Sequence, residues 1–424
     1  MAYANARAYA DIGRPDAGSA QFKHIFDSVT NIPIPRGGRF LDKTNMYHVE
    51  GQYNLSKIVK VADLLVGANW RQYRLNSQGT LFADTTGPIA VNEFGAYLQV
   101  SKKVLNDKLK LTASGRYDKN SNFEGKFTPR FSAVVTIAPN HYIRASYQNA
   151  YRFPSNQNQY INLNTGAGVL IGGLPSLRKF YHFDTNPVYT QASFGAFGAS
   201  VAAGNPNPAL LVPMKFDTYK PESVNSYELG YKGVCNKRLL IDIYGYYSKY
   251  KNFIGRVNGA QFKDPSDPTK GYTGYSVSVN SANKVNTYGF GIGLNYLLPK
   301  NFVLDFNFSN DKIDNGDPNF ADYFNSPKYR TNIGLSNNGF GYDKRFGFNV
   351  QYRWQDTYYT VSDFKQGPVS AISTLDAQVS YKFKSVKSVV KLGATNLLNS
   401  YYITQYGNPS IGGLYYVSFG YNIF

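Results

Sequence analysis

Four histidines, one cysteine and 27 acidic residues are the side chains of this 424-residue sequence that could hold a metal or move protons. His48 and Glu50 are two apart. On a strand that spacing puts both on one face, where they form either a metal pair or a polar pair lining wet space. His24, His141 and His182 stand far from them and from each other. Cys235 is alone, which removes an internal disulfide and a thiolate cluster and leaves a small apolar packing residue. GFGIG (289–293) imitates part of a dinucleotide fingerprint, but it sits inside a strand pattern and no helix follows. Its glycines read instead as a smooth wall that another body can approach. DKIDNGDPNFAD (311–322) is acidic and turn-like, yet its spacing is wrong for a calcium loop and no Glu closes it. FKDPSDPTKGY (262–272) reads as a loop tip. No stretch marks a nucleophilic Ser with a His and a carboxylate. The expectation is a protein that is not an enzyme and has no metal site and no cofactor.

Binding chemistry is better supplied. The segment 152–222 holds Arg152, Asn156, Gln157, Asn158, Gln159, Tyr160, Arg178, Tyr181 and His182, with Asn162, Lys179 and Tyr189 nearby. Aromatic rings stack on apolar ligand faces, and amides and guanidinium groups fix orientation. These residues are the expected ligand-binding set; the competing reading is a loop packed on itself.

The elements that must position them are strands. In RFGFNVQYRW (345–354), Phe346, Phe348, Val350, Tyr352 and Trp354 alternate with Arg345, Gly347, Asn349, Gln351 and Arg353. KLKLTASGRY (108–117), NTYGFGIGLNY (286–296), NFVLDFNFSND (301–311) and LDAQVSYKF (375–383) repeat the pattern. Similar segments lie near 47–55, 62–74, 92–103, 126–138, 141–151, 223–234, 238–251, 328–337, 387–396 and 413–424. That makes about fifteen strands of ten residues or more, longer than the five or six usual in globular sheets. Tight turns alternate with long polar loops near 72–92, 152–222, 252–285, 311–328, 354–372 and 397–413. Long alternating strands with unequal connections are the signature of an outer-membrane barrel. Hydrocarbon cannot satisfy an unpaired backbone group, so the sheet must close. Its greasy face then meets outer-membrane lipid and its wet face lines a lumen. Tyrosines cluster at strand ends (Tyr244, Tyr246, Tyr247 and Tyr250; Tyr358 and Tyr359; Tyr401 and Tyr402), as expected at a membrane–water boundary.

Composition agrees. Tyr 37 and Phe 29 are high counts, Trp 2 and Met 3 are low, and mean hydropathy is −0.38. The formal charge of +18 is scattered singly along alternating segments and forms no nucleic-acid patch. No apolar run is long enough for a spanning helix, and the first sixteen residues lack the apolar core of a signal peptide.

Three stretches carry a family resemblance. KPESVNSYELGYKG (220–233), NAYRFPSNQNQYINL (149–163) and GATNLLNSYYITQYGNPSIGGLYYVSFGYNIF (393–424) resemble strand-entry, strand-end and C-terminal motifs of TonB-dependent receptors, with Bacteroidetes-like wording in the loops. The resemblance implies a mainly β, transmembrane antiparallel barrel of 22 strands around an N-terminal plug. It implies import of a nutrient such as an oligosaccharide, peptide or metal chelate across the cell outer membrane. The implied partners are the TonB complex, a surface lipoprotein, and the barrel assembly machinery, which would read Tyr421 and Phe424. Phe424 falls out of phase with Tyr415, Val417, Phe419, Tyr421 and Ile423, which a bulge would repair. Signal peptide, TonB box and plug are not seen, and about 15–16 strands are. The sequence therefore reads as the C-terminal part of a receptor: 1–45 as a loop or partial segment, 46–424 as barrel, with 152–222 a long extracellular loop. A self-contained passive porin of about sixteen strands is the alternative, and a soluble adhesin or lectin the third class.

Overall fold

The structure is a computed structural model that describes residues 5, 8–34, 36–166, 168–314, 324–362 and 365–422. Six long strands come first: β1 (Asn45–Asn54), β2 (Asp63–Leu75), β3 (Ile89–Val104), β4 (Leu109–Asn120), β5 (Phe123–Ala138) and β6 (His141–Arg152). Three short ones follow: β7 (Asn162–Asn164), β8 (Val169–Ile171) and β9 (Tyr189–Thr190). Next are β10 (Glu222–Cys235), β11 (Leu239–Lys251), β12 (Ile254–Phe262), β13 (Tyr272–Asn280), β14 (Val285–Leu297) and β15 (Val303–Asp314). The chain continues with β16 (Tyr329–Phe340), β17 (Phe346–Gln355), β18 (Tyr358–Thr360) and β19 (Gly367–Val369). It closes with β20 (Ile372–Phe383), β21 (Ser388–Thr395) and β22 (Leu414–Tyr421).

Fifteen of these form one antiparallel sheet in the order β1-β2-β3-β4-β5-β6-β10-β11-β14-β15-β16-β17-β20-β21-β22. Each of the fifteen strands expected from the alternation is a member. Among the described residues β1 and β22 are its two edges and do not pair with each other. No helix is long and apolar enough to cross a membrane, which says nothing against crossing by strands.

Register turns the alternation into continuous rows. Tyr296, Leu304, Leu335, Val350, Ala377, Ala394 and Tyr415 are successive cross-strand partners over seven strands. Leu294, Phe306, Ile333, Tyr352 and Leu375 form the next row. On this face large apolar side chains remain open: Leu335 is 38% exposed, Phe290 41% and Val379 56%. Towards the long-loop end Phe131, Tyr147, Tyr227, Tyr247 and Tyr288 make one aromatic row. Lys249 and Lys312 lie over two of its rings at 5.5 and 5.4 Å. Towards the short-turn end Phe346, Tyr381 and Phe383 stack edge to face. Tyr288 and Tyr296 are eight residues apart on β14, about 26 Å along the strand. With barrel tilt this approaches the roughly 25 Å apolar band of an outer-membrane wall.

The opposite face is polar. Arg144 reaches from β6 to Glu228 at 3.1 Å and Asp242 at 2.8 Å. Arg116 pairs with Asp118 at 2.6 Å, and Arg330 with Asp311 at 3.2 Å. Two expectations change here. Tyr244 and Tyr246 share this inner phase; of their cluster Tyr247 alone joins the outer row. Gly289 and Gly291 do not leave a smooth wall either, because those two rings cover them. A Cβ on Gly291 would meet Tyr244 Cε1 at 2.5 Å, and one on Gly289 would meet the Asn310 carbonyl at 2.1 Å. Neighbouring strands bring ring and glycine together, a pairing that period-two reading of one strand misses.

Arginine at Leu335 faces hydrocarbon and should cost about 2–4 kcal/mol in denaturant unfolding from lipid vesicles, whereas Asn332→Lys on the inner face should be near neutral. Gly289→Ala should destabilise more than Gly291→Ala, each within about 1–3 kcal/mol, because a strand carbonyl cannot swing aside as the Tyr244 ring can.

Candidate functional site

The long connections at one end of the sheet fold together. Between β6 and β10 lie helices α1 (Asn156–Tyr160), α2 (Pro175–Phe180) and α3 (Gln191–Ala202). Their short strands join the β12–β13 hairpin in a second sheet, β7-β8-β13-β12-β9, with β8 parallel to β13. Val169, Ile171, Phe183, Val188, Tyr275 and Val277 are its buried core. This is a loop unit with an interior of its own, built as a soluble domain is built.

One carboxylate helps fasten it to the wall. Glu222, 6% exposed, opens β10 directly opposite Arg152, the last residue of β6. Arg152 Nε lies 2.8 Å from Glu222 Oε1. The Ile254 amide at the start of β12 donates to Oε2 at 3.2 Å. Arg256, also buried, donates to Ser276 Oγ at 3.0 Å and to the Ile171 carbonyl at 3.2 Å. A cavity of about 480 Å³ opens at this junction, lined by Arg152, Gln157, Asn158, Glu222, Tyr250 and Arg256 among others. Two guanidinium groups, two side-chain amides, a phenol and one paired carboxylate suit a polar or anionic ligand with many hydrogen-bonding atoms.

The structure brings together three of the nine residues expected to bind: Arg152, Gln157 and Asn158. Asn156 opens α1 half-buried. Gln159 is buried, donating to the Pro154 carbonyl at 2.7 Å and accepting from Asn122 at 2.6 Å. The Tyr160 hydroxyl accepts from the same Asn122 amide at 2.7 Å. Burial raises the Tyr160 pKa, and that bond pulls the other way. Tyr181 is part of the loop core, with its ring 5.2 Å from Tyr275 and its hydroxyl on Asn162. Arg178 lies over Phe216 and donates to the Asp217 carbonyl at 3.2 Å, in a separate cleft of about 180 Å³; burial lowers its pKa. His182 is exposed on a turn with φ +55°. Glu222, Tyr250 and Arg256 were not expected. Glu222 was within reach, since pairing the quoted Pro-Glu strand with the Arg-ending strand sets it against Arg152. Arg256 needed the loop sheet, in which the two- and three-residue strands β7, β8 and β9 carry no periodicity to announce them.

Elsewhere His48 Nε2 and Glu50 Oε2 are 3.2 Å apart, and Arg71 Nε donates to His48 Nδ1 at 3.3 Å. The third partner is a cation, and among the described residues no three ligand side chains gather. The 262–272 tip is the expected turn, closed by Lys270 on Asp264 at 2.7 Å. That contact, with the Ser266 hydroxyl and amide, lowers the Asp264 pKa to about 2. The acidic stretch 311–322 lies mostly outside the described residues. So do Phe424 and the proposed terminal bulge; Tyr421, 73% exposed, ends β22.

The family model described as TonB dependent receptor-like, beta-barrel matches residues 3–397. No curated protein sequence matches. Among solved structures the siderophore receptor PirA from Acinetobacter baumannii is similar, with a TM-score of 0.58 at 16% identity over 89% of this chain and 54% of PirA. A variant of the ferric enterobactin receptor PfeA from Pseudomonas aeruginosa gives 0.61 at 13% identity over 92% of this chain and 55% of PfeA. The FrpB iron transporter from Neisseria meningitidis gives 0.58 at 12% identity, covering 88% and 55%. Such identities carry the fold alone, and the chain spans about half the length of these proteins.

Burial pushes the Tyr219 hydroxyl, 2.8 Å from Ser278 Oγ, up to about 12, and likewise that of Tyr275. Both folded values lie above the ordinary 10, so their stabilising share is full below pH 10 and disappears as pH rises through 12. Limited proteolysis should therefore open the loop unit in that window before the barrel yields, and Tyr219→Phe with Tyr275→Phe should shift the opening to higher pH.

Proposed function

We propose, from the premise that this chain belongs to the TonB-dependent receptor-like β-barrel family, that it forms the wall and ligand-capturing mouth of an outer-membrane importer. Barrels of this family are outer-membrane proteins, and its members are receptors and transporters. The observation that carries the reading is the cavity at the junction of loop unit and wall, where Arg152, Gln157, Asn158 and Arg256 converge beside a polar inner face. No bond of the nutrient is made or broken. The ligand is captured among the long loops and passes down the lumen, with TonB supplying the energy as for other receptors of the family.

The cavity favours a particular cargo class. It offers cations and amides but, among the described residues, no cluster of carboxylates and imidazoles, so a bare metal ion would find few donors. A metal held in an organic chelate, or an acidic oligosaccharide or peptide, presents the oxygen atoms that guanidinium and amide groups recognise. The similar receptors named for siderophores and ferric enterobactin agree with a chelate, which is the reading preferred here. A passive porin would need β1 and β22 to pair with each other, which they do not among the described residues. In a bilayer those two edges need further strands.

Whole-receptor uptake of ferric enterobactin, copper(II) and a maltooligosaccharide should separate the readings. Saturable uptake of the ferric chelate, weakened about tenfold by Gln157→Ala with Asn158→Ala, is expected from the loss of one or two net hydrogen bonds. Linear, unsaturable entry of all three solutes, indifferent to that double substitution, would sink the receptor reading.

A further inference from the structure

The seven short turns that join β1–β2, β3–β4, β5–β6, β10–β11, β14–β15, β16–β17 and β20–β21 all lie at one end of the sheet. Six of them carry Lys or Arg, from Lys57 and Lys60 in the first to Lys384 and Lys387 in the last. Their 31 residues include ten cationic side chains and two acidic ones, Asp107 and Asp343, a net +8. The connections at the opposite end, of which only the β4–β5 turn is short, together run several times that length and sum to +1. One of the two acids is already taken: Asp343 meets Lys384 at 2.6 Å and Arg345 at 3.2 Å. Lys57, Lys60, Lys108, Lys237, Lys300 and Lys387 are exposed.

Beside this rim the outward face carries a groove of about 580 Å³, almost wholly apolar. Ala113, Ala133 and Ala145 are its floor, Phe131 and Tyr147 stand at one end, and Lys102 stands at the end nearest the turns. Two kinds of surface thus meet: a row of exposed cations in net excess over acids and an apolar trough running up the wall beside it.

We propose that the short-turn rim is a docking surface for anionic glycerophospholipid, with headgroup phosphates on the lysines and an acyl chain in the groove above Lys102. Short turns of outer-membrane barrels face the periplasm, so the lipid is that of the periplasmic leaflet. The charge is spread over six turns around the sheet, as a leaflet would meet it, and not gathered into one patch as a globular acidic partner would need. The groove continues onto the lipid-facing wall, where a soluble partner cannot follow.

The test uses the full chain refolded in detergent, its folding checked by mobility before and after boiling. Native mass spectrometry would compare phosphatidylglycerol and phosphatidylethanolamine of identical acyl chains. Phosphatidylglycerol adducts should exceed the other about tenfold at low salt, as several lysines near an anionic headgroup imply, and about 0.5 M salt should erase the preference by screening. K57Q/K60Q/K384Q/K387Q should reduce the preference at least threefold, while the loop pair K263Q/K284Q leaves it intact. Ala133→Leu should weaken both lipids alike. Equal retention of the two lipids by the parent chain at low salt overturns the proposal, as does a preference unmoved by the rim substitutions or retention of polyglutamate in place of phosphatidylglycerol. Should the quadruple variant not fold, the salt series on the parent chain decides alone.

Discussion

Hydrocarbon offers a peptide group no partner, and an unpaired N–H or C=O there costs several kcal/mol. The structure is organised around that constraint. Thirteen of the fifteen long strands have a hydrogen-bonded neighbour on both sides, which leaves the side chains free to sort between two environments. Sorting then follows from the pleat. One phase carries the rows through Leu335 and Ile333 and the aromatic belts; the other carries Arg144, Glu228 and Asp242. Charges on the inner phase pair across strands because the wall presents them at fixed spacing, not because they were needed to hold the sheet. Such half-exposed pairs contribute little stability each.

The long loops obey a different solvent. There a buried core of Val169, Ile171, Val188 and Val277 forms, and it does so by combining two connections far apart in sequence, 153–221 and 252–284. Neither could bury enough surface alone. The parallel contact between β8 and β13 is the topological mark of that cooperation, since no hairpin can make it. Burial in this unit is what gives Tyr219 and Tyr275 their raised pKa values and makes Tyr181 a core residue.

How much of this was legible depends on the physics of each part. The wall was readable strand by strand, because a lipid face on one side and water on the other impose period two along most of each ten-residue strand. KLKLTASGRY and RFGFNVQYRW each became a strand with the phase their residues dictate. The cross-strand details were not readable, as the rings over Gly289 and Gly291 show: those depend on register between strands, which alternation leaves open by any even shift. The site was half legible. Arg152, Gln157 and Asn158 lie next to a recognisable strand end, whereas Arg256 reaches the cavity only through a loop sheet of strands two to nine residues long. Tyr181, Gln159 and Tyr160 were residues of the right chemistry already committed to packing, and type alone cannot separate a ligand-facing amide from a satisfied one.

Glu222 connects these two regimes. Its one oxygen faces Arg152 at the end of the wall and its other receives the Ile254 amide of the loop sheet. Any ligand in the adjoining cavity touches both bodies at the point where they are joined. A ligand there would bind with different strength if the loop unit sat differently on the barrel, and only such a difference would let occupancy bias the arrangement of the mouth. The cleft beside Arg178 is lined by residues of the loop unit alone, so a ligand there would not bridge to the wall. The Arg152–Glu222 pair stands where loop unit and wall meet, so a ligand in the adjoining cavity would contact both.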